Sequence, residues 1–186
     1  MKHYPDRNAL LRTILPDSIV AEVGVQLGDF AAEILKREPY RLYLIDIWAE
    51  QKGDYEADVA NVSQERQEAN YQAVLNRFSR EIAEGQVVVI RKPSLEAVHE
   101  LVDCILDAVY LDANHTKEAV ADDLRAWAPK VNDAGRILGH DYTERPEAKK
   151  MKFGVVEAVN EFCGEGEWKM VGITDDEWPS YELERV

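Results

Sequence analysis

The sequence predicts an α/β fold, a doubly wound, mostly parallel sheet of seven strands with helices on both faces and an antiparallel hairpin at its C-terminal edge. Three observations carry that expectation. Short β-branched runs alternate with 3.6-period amphipathic segments along most of the chain, the signature of repeated βαβ units. The first run, Ile19 to Val25, breaks at a turn bounded by Gly24 and Gly28 and passes directly into a helical pattern. The later runs end in polar groups, and ligands bind beyond the strand ends of an open parallel sheet.

The bulk properties set the frame. A chain of 186 residues with 46% apolar and 31% charged residues suits one well-cored α/β domain spanning 1–186. No apolar run approaches the roughly 20 residues that cross a bilayer. The N-terminal MKHYPDRNALLRTILP has no apolar core followed by small residues, so a cytoplasmic protein without a secretory signal is expected. Cys104 and Cys163 fall singly in apolar patterns and read as reduced core thiols. The 22 basic and 36 acidic residues give a formal net charge of −14, a field that repels phosphate backbones and anionic lipid. The expected partner is therefore a small-molecule acceptor, not nucleic acid and not a membrane, with a homodimer left open.

Each element follows from local pattern. Residues 1–18 read as a short amphipathic helix, Arg7 to Leu15, ended by Pro16 and covering either the sheet edge or the site. Ile19 to Val25 is the first strand, and DFAAEILKRE after Gly28 the first sheet-packing helix, with Asp29 in its first turn. RLYLIDIW suits a strand buried on both faces. Residues 49–63 are polar and aperiodic, either a lid or an exposed connection. Gln64 to Ala83 is helical, with Tyr71, Val74, Leu75, Phe78 and Ile82 on one face. QVVVIRKPS gives a third buried strand, and Leu95 to Ile105 a helix with Ser94 as N-cap. AVYLDANH is the fourth strand, Lys117 to Trp127 a helix stopped by Pro129, and GRILGHDY the fifth strand. A helix over Val155 to Phe162 and a hairpin through WKMVGITDDEWPSYELE complete the chain.

The strand ends collect the candidate chemistry: Glu22 to Gly28, Asp46 with Trp48, Lys92 to Ser94, Asp112 to His115, and His140 to Tyr142. Glycines let the backbone approach a ligand closely, and Asp46 follows Gly28 by close to the roughly 20 residues at which an acid on the next strand meets a ribose. Trp48, Trp127, Trp168 and Trp178 read as core or edge aromatics, with packing on an adenine as the alternative for Trp48 beside that acid. His3 and His99 read as surface, and Asp122, Asp123 and Asp175 to Glu177 as solvated.

The segments AEVGVQLGDFAAEIL, LYLIDIW, VYLDANHTKEAVADDLRAWAPKV and GRILGHDY resemble, in order and spacing, the class I S-adenosylmethionine-dependent methyltransferases, in particular the small O-methyltransferase-like (macrocin O-methyltransferase-like) group. The likeness runs from Ile19 to Tyr142 and, more loosely, through the hairpin. It departs from the GxGxG loop, where Val25, Gln26 and Leu27 replace the central glycine. The resemblance implies S-adenosylmethionine held by the turn of Glu22, Gly24, Gln26 and Gly28, with Asp46 on the ribose and Pro93 and Ser94 near the adenine. It also places Asp112, His140 and Asp141 on the metal positions of metal-dependent O-methyltransferases, and His115 near the base. Mg²⁺ suits Asp112 and Asp141, whereas imidazole suits softer divalent ions, so either another metal binds or His140 is no ligand. Without a metal, His115 or His140 is the general base; in the leading reading Asp112 and Asp141 position metal and substrate while one of these histidines deprotonates the nucleophile. The expected reaction is methyl transfer to a small hydroxylated molecule. Two alternatives stand beside it: a cofactor-binding module without catalysis, and an NAD-dependent oxidoreductase, against which the missing GxGxxG argues.

Overall fold

The structure, a computed structural model, describes residues 1–53, 58 and 60–186. The N-terminal stretch divides where one helix is expected. Lys2–Tyr4 forms strand β1, Arg7–Leu10 forms helix α1, and a 3-10 turn follows over Leu11–Thr13. Asp6 sets the start of α1, accepting a 2.7 Å hydrogen bond from the Ala9 amide. Next come β2 (Ile19–Val23), α2 (Asp29–Leu35) and β3 (Arg41–Asp46). The helical pattern from Gln64 breaks at Phe78 into α3 (Gln64–Arg77) and α4 (Ser79–Ala83). The chain continues through β4 (Val87–Arg91), α5 (Ser94–Ala97), β5 (Leu106–Leu111), α6 (Lys117–Trp127) and β6 (Val131–Gly139). It closes with α7 (Pro146–Lys150), α8 (Val155–Gly164), β7 (Trp168–Thr174) and β8 (Tyr181–Arg185).

The sheet has the order β1-β7-β8-β6-β5-β2-β3-β4. The seven expected strands are present, and β1 adds an eighth by pairing parallel with β7. The hairpin is antiparallel as expected, with β8 inserted between β7 and β6 and antiparallel to both. Central strands are apolar on both faces: Val20, Leu42, Leu44 and Tyr110 pack beneath α1, α2 and α3, while Val23, Ile45, Val109 and Leu111 pack with residues of α5, α6 and α8. β4 is only half-buried because it ends the sheet. The helix expected to reach Ile105 stops after Ala97 and a 3-10 turn over Val98–Glu100, which leaves Cys104 exposed rather than in the core. Cys163 is half-buried. Of the expected lid, residues 54–57 and 59 lie outside the described residues. No helix among the described residues is long and apolar enough to cross a membrane.

Candidate active site

A cavity of about 610 Å³ opens beyond the carboxyl ends of β2, β3 and β5, where a parallel sheet diverges and the polar strand ends collect. Six of the expected cofactor residues line it: Glu22, Gly24, Gln26, Asp46, Pro93 and Ser94. Gly24 has φ of +92°, and a Cβ built on it would lie 1.9 Å from the Asp112 carbonyl oxygen, so only glycine lets β2 and β5 approach this closely. Asp46 holds the turn: its carboxylate accepts from the amides of Val25 at 2.9 Å, Gln26 at 2.8 Å and Trp48 at 2.8 Å. Gly28 and Trp48 stand back from the cavity. Gly28 starts α2 at φ of +73°, and the buried Trp48 packs on Tyr71 with its Nε1 donating to the Gln26 carbonyl at 3.0 Å. The tryptophan therefore props the turn from behind instead of meeting a ligand face. Gln26, Trp48 and Asp141 all adopt positive φ, the kind of backbone strain that gathers at functional sites.

Beside the cavity, the ends of β5 and β6 bring four expected residues together. His115 Nε2 lies 3.2 Å from Asp112 Oδ1 and 2.9 Å from Asp141 Oδ2, and His140 Nδ1 lies 3.1 Å from Asp141 Oδ1. A fifth group, Asp58, meets His115 Nδ1 at 2.9 Å. Phe153 stacks on the His115 ring at 4.3 Å between centroids. Burial opposes an imidazolium at His115, but hydrogen bonds to Asp112, Asp141 and Asp58 override it and raise the pKa well above the ordinary histidine value. His140 is raised by the same balance, burial against the Asp141 bond and the Asp112 charge. Asp141 is held well below the usual carboxylate range, because the two histidines outweigh its burial.

A family profile for the methyltransferase domain matches residues 21–142. The chain belongs to the methyltransferase-domain family. No curated protein matches it. Among solved structures, the methyltransferase is similar to a candidate rRNA methylase from Clostridium thermocellum at 13% identity, TM-score 0.66, covering 95% of this chain and 91% of that one. An rRNA methylase from Streptococcus thermophilus matches at 14% identity, TM-score 0.64, covering 97% and 94%. A candidate caffeoyl-CoA O-methyltransferase from Staphylococcus aureus matches at 12% identity, TM-score 0.65, covering 96% and 80%. These likenesses establish the shared fold. They also correct the exclusion of nucleic acid as a partner, since rRNA methylases use this architecture. Net charge sums the whole surface, whereas a contact with RNA is decided by the local field at the site, so −14 excludes nothing.

Family membership implies S-adenosylmethionine, and the methyltransferase cavity fits it. The buried Glu22 faces the cavity with Oε2 lacking any partner, and burial together with the Asp112 and Asp46 charges pushes its pKa well above the ordinary value. A cationic ligand would relieve that group. Ser94 is not the N-cap expected; it is the first residue of α5, its Oγ donating to Asp123 at 2.5 Å and accepting from Trp127 Nε1 at 2.8 Å. Asp123 is accordingly buried, not solvated, with its pKa pushed up to about 6 by desolvation. For a metal, Asp112, His115 and Asp141 offer ligand atoms all within 4.8 Å of one another, and His140 Nδ1 lies 3.8 Å from Asp112 Oδ2 and 3.1 Å from Asp141 Oδ1. An octahedral Mg²⁺ shell spans about 4.2 Å, so a small contraction would suffice. Sequence reasoning missed Asp58, Asp123 and Arg7, which also lines the cavity. Only Arg7 carried a signal, at the start of the segment expected to cover the site.

Proposed function

We propose that this methyltransferase transfers the methyl group of S-adenosylmethionine to a hydroxyl oxygen of a small acceptor, with Asp112, His115 and Asp141 holding a divalent ion. The observation that carries the reading is the convergence of two carboxylates and two imidazoles from the ends of β5 and β6 beside the glycine-turn cavity. Such a donor set fits a divalent cation, which relieves the repulsion between its carboxylates. When bound, the ion supplies Lewis acidity toward an acceptor hydroxyl. Glu22 and the Gly24 turn hold the cofactor, and Asp46 keeps that turn in place while offering its remaining acceptor capacity to the ribose. His140, hydrogen-bonded to Asp141, is the base that accepts the acceptor's proton. Residues 49–53, 58 and 60–63 act as part of a lid: Ala49, Gln51 and Ala60 line the cavity, and Asp58 reaches His115. Resemblance to the small O-methyltransferase-like group supports oxygen as the acceptor atom.

The test is transfer of labelled methyl from S-adenosylmethionine to a panel of catechols, phenols and sugar hydroxyls, with ribosomal RNA as a parallel arm. Label on a small hydroxylated compound, abolished in Asp112→Asn while that variant still binds S-adenosylhomocysteine, supports the reading. Label on RNA alone overturns the acceptor class. Transfer that survives exhaustive chelation removes the metal and leaves His115 or His140 as base.

A further inference from the structure

Among the described residues, one cation of the cavity lining has no direct hydrogen-bond or ion-pair partner. Arg7, on α1, lines the cavity with its guanidinium 4.7 Å above the Phe30 ring. Among the described residues its side chain makes no hydrogen bond or ion pair. The other lining cation, Lys92, is paired with Glu100. Arg7 is half-buried, and a partly desolvated guanidinium gains by meeting a carboxylate. Its position is nevertheless fixed. The Arg7 amide donates to Asp176 Oδ2 at 2.9 Å, and β1 just before it is laced to β7 through Lys2, His3 and Tyr4.

The same cavity contains a buried carboxyl oxygen without a partner, Oε2 of Glu22, close enough for the Arg7 charge to act on it. A lone guanidinium and a lone carboxyl facing one space are the complement of a zwitterion, and an α-amino acid group is the zwitterion that a methionine-derived cofactor brings. We propose that Arg7 binds the α-carboxylate of the methionine moiety of S-adenosylmethionine, so that the N-terminal arm, which lies outside the matched family segment, completes the cofactor site. This rests on the reading that S-adenosylmethionine occupies the cavity. The planar fork of arginine suits a carboxylate in two-point contact, and Phe30 beneath it keeps the fork in plane.

Titration calorimetry of S-adenosylmethionine and of decarboxylated S-adenosylmethionine, which differs only by that carboxylate, tests the assignment in wild type and Arg7→Gln. Wild type should prefer the complete cofactor by about 10- to 100-fold. Arg7→Gln should bind it that much more weakly, bind the decarboxylated form as wild type does, and so lose the preference; Arg7→Lys should keep part of it. Unchanged binding of the decarboxylated form also shows that the variant cavity is intact. Arg7→Gln that keeps the wild-type preference, or that weakens both ligands equally, overturns the assignment. Wild type that binds neither ligand overturns the cofactor reading, and the role of Arg7 with it.

Discussion

Gly24→Ala places the heaviest demand on this fold, because the atoms in its way belong to the backbone. The added Cβ would lie 1.9 Å from the carbonyl oxygen of Asp112, 2.4 Å from its carbonyl carbon and 2.8 Å from Ala113 Cα. None of these can rotate aside as a side chain would, and the end of β5 must retreat by about 1.5 Å to reach ordinary contact at 3.4 Å. That segment is also tied to β2 by the Asp112 amide donating to the Val23 carbonyl at 2.8 Å. The left-handed backbone of Gly24 adds about 1–3 kcal/mol for a residue with a side chain, and the overpacking about 1–3 kcal/mol. Together they reach about 2–6 kcal/mol, a large part of the roughly 5–15 kcal/mol that stabilises an ordinary domain. Urea denaturation followed by circular dichroism measures the loss. Gly166→Ala is the control, since Gly166 has a similar φ of +91° but nothing within 4 Å of an added Cβ, so it reports the backbone contribution alone. If the two variants agree within about 0.5 kcal/mol, beyond the usual scatter of surface substitutions, the close approach of β2 and β5 is wrong.

Three further outcomes follow from the same geometry. Asp46→Ala removes the acceptor of three amides and should cost about 2–4 kcal/mol of stability and about 1.5–3 kcal/mol of S-adenosylhomocysteine affinity; unchanged affinity in calorimetry takes Asp46 away from the ribose. Asp123 is a carboxyl whose pKa rises on folding from 3.8 to about 6, so the folded state holds its proton more tightly, and the stability this gives is full below pH 3.8 and lost as pH climbs through about 6. At about 1.4 kcal/mol per pH unit, Asp123→Asn should gain up to about 3 kcal/mol on wild type at pH 7.5 and nothing at pH 3.5; a pH-independent difference in denaturation midpoints refutes the burial argument. Hydrogen exchange in residues 49–53 and 60–63 should slow when S-adenosylhomocysteine binds, and identical protection with and without ligand makes the segment a mere connection.

The parts of this architecture that depend on neighbours in sequence were legible in it. Helix α6 runs from Lys117 to Trp127 as its apolar spacing requires, because Thr116 caps it, accepting from the Ala119 amide at 3.4 Å, and Pro129 prevents its continuation. The strand ends were legible for the same reason, and they put Asp112, His115, His140 and Asp141 side by side. What depends on distant partners was not. Strand β1 has only the three residues KHY and exists because β7, some 170 positions later, offers an edge. Asp123 has the look of a solvent-facing acid on an amphipathic helix, and only Ser94, from another element, explains its burial. Asp58 lies in an aperiodic segment, and its contact with His115 spans 57 positions that no local pattern connects. Trp48 is a core aromatic, as its apolar surroundings in sequence allow, but its partners Gln26 and Tyr71, 22 and 23 positions away, are not legible from its neighbours.

Thermal unfolding with S-adenosylhomocysteine tests the central claim, that the glycine-turn cavity is an S-adenosylmethionine site, most directly. At 100 times its dissociation constant a ligand specific for the folded state adds about 2.7 kcal/mol, which in a chain of this size raises Tm by about 5–11 °C. The account predicts a rise of that order with S-adenosylhomocysteine and none with NAD; a Tm that stays put with saturating S-adenosylhomocysteine, or that rises with NAD instead, would contradict it.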